Sequence, residues 1–270
     1  MKLEAISAEA RRLPPRIIVC GVEKVGKTTF ACGSRVDGGA VVEVGRNAPV
    51  VVPIEGEEGA DELPVAKFPA ARSFQAVLDA LDALATEEHQ FQTVVIDSAS
   101  ALEPLVWSAT VADGKRTKSD LENIEDFGYG KGYVLALDKW RALCERLDAL
   151  RKSRGMACVI IAHTIAKTVT SPDAEPYDAY VVDVHKSAAQ MLLRWADLIL
   201  FANVRTAIRR DGQGARAHVR GMDVEGERVL YTRKTAAHPG GGRGALGRLP
   251  DEMPLDWASF EAALSAAYGD

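Results

Sequence analysis

The sequence contains little cysteine and no cysteine pattern that supports a disulfide framework or a zinc site. The 270-residue chain has four cysteines, which are Cys20, Cys32, Cys144 and Cys158. They form no CxxC pair. A chain of this length buries enough apolar surface to fold without disulfides. We therefore expect reduced thiols in the core.

Long apolar runs and a surplus of positive charge are also absent. No run reaches the ~18 apolar residues of a membrane-spanning helix, and MKLEAISAEARRLPPR lacks the apolar segment of a secretion signal. The formal net charge of -5 gives no overall attraction to nucleic acid or to an anionic membrane. A site for a polyanion would need a local basic patch. We expect a cytoplasmic protein.

The sequence does contain an alternation of β-branched apolar runs and helical patterns. The runs are RIIVCG (16–21), APVVVPIE (48–55), QTVVIDS (92–98) and MACVIIAHT (156–164). Strands that are buried on both faces have this composition. The longest helical patterns between them cover residues 73–88 and 133–155. This alternation predicts an α/β fold with a mainly parallel central sheet flanked by helices.

Two further apolar runs predict an antiparallel strand pair near the C-terminus. DLILFANV and RVLYT flank a long polar segment, which favours a hairpin over about residues 197–232. The glycine-rich stretch 238–250 is predicted to be a loop before a closing helix. We expect an N-terminal extension, residues 1–15, followed by one domain, residues 16–270.

The first apolar run leads directly into a glycine- and lysine-containing motif. Residues 17–31 read IIVCGVEKVGKTTFA and satisfy the P-loop pattern GxxxxGK[ST]. Glycines let backbone N–H groups converge on phosphate oxygens, the lysine brings a positive charge to the β and γ phosphates, and the threonine hydroxyl is a ligand for Mg²⁺. The predicted nucleotide-binding residues are Gly21, Val22, Glu23, Lys24, Val25, Gly26, Lys27, Thr28 and Thr29.

A P-loop needs an acidic partner, because Mg²⁺ is held with its waters by a carboxylate at the end of a neighbouring strand. Asp97 ends the run TVVID and is predicted to hold the metal together with Thr28. A helix N-cap role for Asp97 or Ser98 is the alternative.

Hydrolysis also requires a group that orients or deprotonates water. The run VVPIE ends in Glu55, which is the predicted catalytic carboxylate, and Glu57 in the same acidic turn is the alternative. His163 follows the fourth strand, where it could hydrogen-bond the γ phosphate and report its presence to the next segment. A purely structural histidine is the competing interpretation.

Seven blocks of the sequence together resemble one family. They are GVEKVGKTTF, TVVIDSASALEPLVW, IEDFGYGKGY, IIAHT, SPDAEPYDAYVVDVHK, LLRWADLILFAN and LPDEMPLDWASF, between about residues 16 and 262. They are similar to phage nucleotide-binding proteins with a RecA-like core, some of which are single-strand annealing ATPases of the Sak group. The resemblance implies a RecA-like fold, ATP with Mg²⁺, and homologous recombination on single-stranded DNA. It carries the nucleotide and catalytic roles onto residues 21–29, Glu55, Asp97 and His163.

The resemblance also implies that the segments after the third and fourth strands face DNA. These segments cover residues 103–132, which include KRTK and all but the last residue of FGYGKGY, and residues 165–186, a predicted long loop. Glycines, rings and cations suit single strands, because bases stack on rings without regard to sequence. The candidate contacts are Tyr129, Lys131, Lys167, His185 and Lys186. Rings that pin a loop and lysines that are merely solvated are the alternatives.

The segment from Arg205 to Arg248 is locally basic, with ten Lys or Arg and four Asp or Glu. RecA-like ATPases generally need a basic residue from the next protomer at the γ phosphate. The candidates are Arg233, Lys234 and Arg243, and we expect a ring or filament of identical subunits. A solvated hairpin is the simpler interpretation.

These observations predict a DNA-coupled ATPase that promotes annealing or homologous recombination, with a single-strand binding protein as a further candidate partner. Two alternatives stay open. One is a non-enzymatic nucleotide-binding scaffold for replication or recombination proteins. The other is a small-molecule P-loop kinase, for which the sequence shows no arginine-rich lid.

Overall fold

The β-branched runs form the centre of one large sheet. The computed structural model describes residues 12–37, 40–43, 45–117, 120–171, 174–211 and 218–269. The strands are β1 (Arg16–Gly21), β2 (Arg35–Asp37), β3 (Ala40–Glu43), β4 (Pro49–Pro53), β5 (Ala66–Lys67), β6 (Thr93–Asp97), β7 (Ala157–Ser171), β8 (Ala174–Val182), β9 (Leu198–Asp211), β10 (His218–Tyr231), β11 (Gly241–Gly242) and β12 (Glu252–Pro254). The helices are α1 (Lys27–Ala31), α2 (Phe74–Thr86), α3 (Ala99–Gly114), α4 (Lys131–Ser153), α5 (Lys186–Trp195) and α6 (Trp257–Tyr268).

The strands of the main sheet follow the order β12-β10-β9-β1-β7-β6-β4-β5. The six strands from β9 to β5 are parallel, whereas β10 and β12 are antiparallel to their neighbours. Strand β1 lies between β7 and β9, and β6 lies on the far side of β7. The carboxyl ends of β1, β6 and β4 therefore meet at one edge, where His163 on β7 also lies.

Helices cover both faces of this sheet. The side chains of β1 alternate between two buried clusters: Ile18 and Cys20 pack in the cluster that contains α2 to α5, and Ile17 and Val19 pack in the cluster that contains α1 and α6. This arrangement and the C-terminal antiparallel strands confirm the predicted fold class. All four cysteines are free and buried, as expected. No helix of the described residues is long and apolar enough to cross a bilayer.

The predicted loop at 103–132 is wrong in its first part, because residues up to Gly114 belong to α3. Ser98 caps this helix by accepting a hydrogen bond from the amide of Ala101 at 3.2 Å. The apolar residues of α3 are not confined to one stripe, which is why the sequence pattern did not reveal the helix.

The predicted loop at 165–186 is also wrong. Strand β7 continues to Ser171 and pairs with the antiparallel strand β8, and α5 begins at Lys186. The prolines and acidic residues of SPDAEPYD favoured a loop, but Glu175 and Pro176 lie within β8. Helix α5 was not predicted.

Candidate nucleotide-binding site

The loop that joins β1 to α1 forms one wall of a cavity at the carboxyl edge of the sheet. The cavity has a volume of about 450 Å³. Its lining residues are Glu23, Lys24, Gly26, Lys27, Thr28, Thr29, Glu57, Gly59, Asp97, Ile161, His163 and Arg228. Ligands of open parallel sheets bind outside the carboxyl ends of the strands, which is where this cavity lies.

The backbone of the loop is shaped by two glycines. A Cβ atom at Gly21 would lie 2.1 Å from the carbonyl oxygen of Ala202 on β9, so only glycine permits this close approach. Lys24 and Gly26 have φ angles of 56° and 103°. Within the described part of the chain, the amides of residues 23–26 donate to no backbone acceptor. Unpaired N–H groups along a curled backbone fit the oxygens of an anion such as phosphate.

Lys27 lies inside this loop and is only 5% exposed. Its ammonium group donates to the carbonyl oxygens of Gly21 at 3.1 Å and Val22 at 2.7 Å, and lies 3.5 Å from Nδ1 of His163. Burial lowers the pKa of Lys27. Phosphate oxygens would be stronger acceptors for this buried cation than neutral carbonyl groups.

Thr28 and Asp97, the predicted metal pair, are in direct contact. The hydroxyl of Thr28 donates to Oδ2 of Asp97 at 2.9 Å, and Asp97 is 2% exposed. Burial raises the pKa of Asp97 to about 6, although the hydrogen bond from Thr28 opposes this change. The N-cap role belongs to Ser98, so Asp97 is left in the cavity.

The donor atoms at this point suit Mg²⁺. A hydroxyl and a carboxylate are hard oxygen ligands, and Mg²⁺ in proteins usually takes one or two such groups together with waters and phosphate oxygens. No cluster of three or more His, Cys, Asp or Glu in the described ranges could hold a metal by side chains alone. Thr28 and Asp97 are thus the residues that would hold Mg²⁺ beside a bound triphosphate.

The acidic turn after β4 places Glu57, and not Glu55, in the cavity. The amide of Glu57 donates to the carbonyl of Ile54 at 3.0 Å, which closes a tight turn and directs the following residues back toward β6 and β7. Glu55 lies outside, with an exposed side chain that pairs with Arg72 at 2.8 Å. The geometry therefore favours the alternative that the sequence left open.

Glu57 is held by two partners, one directly after β6 and one on β7. Its Oε1 accepts from the hydroxyl of Ser98 at 2.5 Å and lies 3.1 Å from Nε2 of His163. The hydrogen bond with His163 is the main cause that lowers the pKa of Glu57. A carboxylate with a lowered pKa is ionised at neutral pH and can accept a hydrogen bond from water, but it is a weaker base than an ordinary glutamate.

His163 connects the cavity to the rest of β7. Its Cα is in register with Gly21 on β1, and its ring lies between Glu57 and Lys27. Its amide donates to the hydroxyl of Ser100 at 3.0 Å. The structure thus gives His163 both structural partners and a place next to the P-loop lysine.

Comparisons with known proteins identify the family of this chain. A family model described as an AAA domain matches residues 13–244. The chain belongs to this AAA domain family. The crystal structure of the RadB recombinase is similar over 81% of each chain, with a TM-score of 0.38 and 12% sequence identity. No curated protein matches significantly. The finer resemblance to phage single-strand annealing proteins stays a prediction.

One cation of the AAA domain's cavity, Arg228, was not predicted from the sequence. This residue is exposed and lies on β10, far along the chain from the P-loop. No local signal separates it from the other arginines of the basic C-terminal segment. Only the pairing of β10 with β9, and of β9 with β1, brings it to the cavity.

A second cavity, of about 390 Å³, lies between β8, α5 and the segment after β10. We call it the lysine cleft, because it is lined by Lys167, Lys186 and Lys234. Tyr177 and Tyr180 are also among its lining residues, with an otherwise largely apolar wall. The structure thus joins two of the predicted DNA contacts to a lysine that was proposed for another role.

The other predicted DNA contacts lie elsewhere. Tyr129 is fully exposed in the turn before α4, and Lys131 is the first residue of that helix. His185 stacks on Tyr133 with ring centroids 4.2 Å apart, and it caps α5. None of the three lines the lysine cleft. Lys118 of the KRTK motif lies outside the described residues.

The candidates for a basic residue acting on a neighbouring subunit are already engaged or lie in the cleft. Arg233 pairs with Asp251 at 2.6 Å, and Arg243 lies 3.6 Å from Asp197. Neither lines the nucleotide cavity of its own chain. Their action across a subunit interface stays a prediction.

Proposed function

We propose that this AAA domain binds ATP with Mg²⁺ in the P-loop cavity and hydrolyses it to ADP and phosphate. The observation that carries the proposal is the convergence of Lys27, Thr28, Asp97, Glu57 and His163 around one cavity. These residues come from four separate parts of the chain, and each has the chemistry that one step of phosphoryl transfer to water requires.

Binding rests on the loop and on the two metal-holding residues. The free amides of residues 23–26 and the ammonium of Lys27 would hold the phosphates, and Thr28 and Asp97 would hold the metal. Bound Mg²⁺ neutralises charge that develops on the phosphate oxygens.

Glu57 takes the role first predicted for Glu55. It would orient the attacking water and accept its proton, while Ser98 and His163 hold its carboxylate in place. His163 would exchange part of this contact for a γ-phosphate oxygen. Loss of the γ phosphate would then change the hydrogen bonds of His163, just before β7 begins to pair with β8.

We further propose that the lysine cleft binds single-stranded DNA and that the protein acts in annealing or homologous recombination. The cleft combines cations, which attract phosphates, with tyrosine rings, on which bases stack. In the same proposal, the protein assembles into a ring or filament of identical subunits and cooperates with a single-strand binding protein. A nucleotide-binding scaffold without turnover is the second candidate.

ATP turnover with and without single-stranded DNA, and DNA affinity at several salt concentrations, test the proposal. We expect Mg²⁺-dependent turnover in the wild type and its loss in Lys27→Ala. Three phosphate contacts predict that log K falls with log salt with a slope of about -2. Full annealing by Lys27→Ala would favour the scaffold, and DNA affinity without salt dependence would contradict the cleft.

A further inference from the structure

Arg228 lies against the P-loop of its own chain. An ideal Cβ atom at Gly26 would be 3.0 Å from Nη1 of Arg228, and the same arginine lines the nucleotide cavity. Glycine at position 26 therefore leaves the guanidinium group room beside the loop. The group is within reach of the volume that the P-loop amides surround.

The backbone of Arg228 is held on two sides. It pairs with Val204 on β9 immediately after a register shift in the hairpin, and its carbonyl oxygen accepts from the amide of Leu255 at 3.1 Å. The side chain of Leu255 also approaches the Cβ position of Gly26, at 4.0 Å. The sheet and the segment after β12 thus fix the backbone position from which the Arg228 side chain extends toward the loop.

Arg228 has no ion pair or side-chain hydrogen bond with any residue that the structure describes. Its neighbours differ in this respect. Arg205 on β9 pairs with Glu227 and Glu252, and Arg233 pairs with Asp251. An arginine whose five donors are unused beside a row of unpaired amides is available to an anionic ligand.

Arg228 changes the net charge of the residues that line the cavity. The lining contains the carboxylates Glu23, Glu57 and Asp97 against Lys24 and Lys27. Without Arg228 the formal charge of the lining is -1, and with it the charge is zero. Bound Mg²⁺ would offset part of the negative charge of the ligand, and a further cation beside the P-loop would reduce the remaining repulsion from the carboxylates.

We propose that Arg228 is a second phosphate-binding cation that acts in cis on the nucleotide held by the P-loop of the same chain. The inference rests on the proposed function of the cavity. It differs from the expected basic residue of a neighbouring subunit, because a cis arginine supports nucleotide affinity at any protein concentration.

Equilibrium titration with a fluorescent ATP analogue and Mg²⁺ tests this inference in the full chain. Arg228→Ala should weaken binding at least about tenfold, because hydrogen bonds to charged groups contribute about 1.5–3 kcal/mol. Arg228→Lys should lose less, since it keeps the charge. Arg205→Ala is the matched control: it removes the same side chain from the same hairpin outside the cavity and should stay within about twofold of wild type.

Mixing two variants separates cis from trans action. At an ATP concentration limiting for Arg228→Ala, that variant and Lys27→Ala should each turn over ATP poorly, and an equal mixture should show no more than their average. A mixture that regains activity would show that Arg228 serves a neighbouring subunit, which overturns the inference.

The outcomes also separate this inference from the proposed function. If wild type binds Mg²⁺-ATP and Arg228→Ala binds it equally well, only the inference is overturned. An equal loss in Arg228→Ala and Arg205→Ala likewise overturns it, because the effect is then one of general charge. If wild type binds no nucleotide, the proposed function fails first. Thermal unfolding of each variant confirms that the compared proteins are folded.

Discussion

Replacing Asp97 with asparagine should make the nucleotide-free protein more stable while abolishing its Mg²⁺-dependent function. Asp97 is buried at the end of β6, and its side chain accepts a hydrogen bond from Thr28 at 2.9 Å. An ionised carboxylate in this position lacks the hydration that it has in the unfolded chain. The asparagine side chain has the same shape and could still accept from Thr28, but it would carry no charge and hold Mg²⁺ poorly.

The magnitude follows from the pKa of Asp97. A tenfold change in acidity corresponds to about 1.4 kcal/mol, so raising the pKa from 3.8 to about 6 costs roughly 3 kcal/mol of folding free energy at pH 8. The sign is set by proton binding: between these two values the folded state holds more protons than the unfolded state, so stability falls as pH rises. At pH 5 the cost is only about 1.6 kcal/mol.

Urea unfolding at pH 5 and pH 8, followed by fluorescence of buried tryptophans such as Trp140, measures this effect. The advantage of Asp97→Asn over wild type should grow with pH by about 1.4 kcal/mol. Asp197→Asn is the control of opposite sign. Burial would raise the pKa of Asp197, but hydrogen bonds and charge from Arg16, together with Arg151, lower it. Its replacement should therefore destabilise the protein at pH 8.

Two results would refute the reasoning. Asp97→Asn that is less stable than wild type at pH 8 would mean that the carboxylate is already compensated in the empty site. A gain that does not change between pH 5 and pH 8 would mean that it comes from packing and not from ionisation. Retention of Mg²⁺-dependent ATP binding by this variant would separately contradict the metal assignment.

Three further predictions concern the proposed sites. Glu57→Gln should lower ATP turnover by about 100-fold or more without loss of Mg²⁺-ATP binding. The turnover of Glu55→Gln should stay within about twofold of wild type. A large loss in Glu55→Gln and none in Glu57→Gln would make Glu55 the catalytic carboxylate, as the sequence first predicted. Gly59→Ala should raise the Mg²⁺ concentration needed for half-maximal turnover, because a Cβ atom there would lie 2.5 Å from Oγ1 of Thr28; an unchanged Mg²⁺ titration would contradict this contact. Lys167→Ala should reduce the salt slope of DNA binding by about 0.7, and an unaltered slope would remove this lysine from the DNA site.

The residues at the centre of the cavity could be located from the sequence because local rules apply there. Strand β1 and the motif after it are contiguous, so spacing alone identified Lys27 and Thr28. Asp97 could be paired with them because parallel strands share one carboxyl edge. Their contact at 2.9 Å depends on strand order, but any order that places β6 near β1 brings the two groups to the same side of the sheet.

The positions of Glu57 and Arg228 in the cavity could not be predicted, because each depends on where the chain turns or pairs. Glu55 and Glu57 are two residues apart, and the tight turn between Ile54 and Glu57 decides which one enters the cavity. Arg228 reaches the P-loop through two strand pairings that no spacing in the sequence encodes. Tertiary pairing decides which of several chemically equivalent residues enters the cavity. Composition and periodicity do not contain this information.

The same strand that carries His163 also carries Lys167 into the lysine cleft. The two residues are four apart on β7, which places them on one face of the strand about 13 Å apart. Helix α3 begins two residues after Asp97 and holds both ends of the hairpin that β7 and β8 form between His163 and His185. The hydroxyl of Ser100 accepts from the amide of His163, and the buried carboxylate of Glu103 accepts from the amide of His185 at 2.7 and 2.9 Å.

We therefore expect a change at the γ-phosphate position to reach the lysine cleft through this hairpin. If a bound γ phosphate displaces His163, we expect the β7–β8 hairpin to tilt or twist, because Glu103 on α3 still holds its other end through the amide of His185. Burial raises the pKa of Glu103 to about 7, because this anchoring carboxylate is held away from water. Protonation of Glu103 would weaken its hydrogen bonds with the amide of His185 and so loosen the lysine cleft, while the P-loop stays unchanged. Lowering the pH through this range should therefore change DNA binding without changing nucleotide binding if the two sites are coupled through the hairpin.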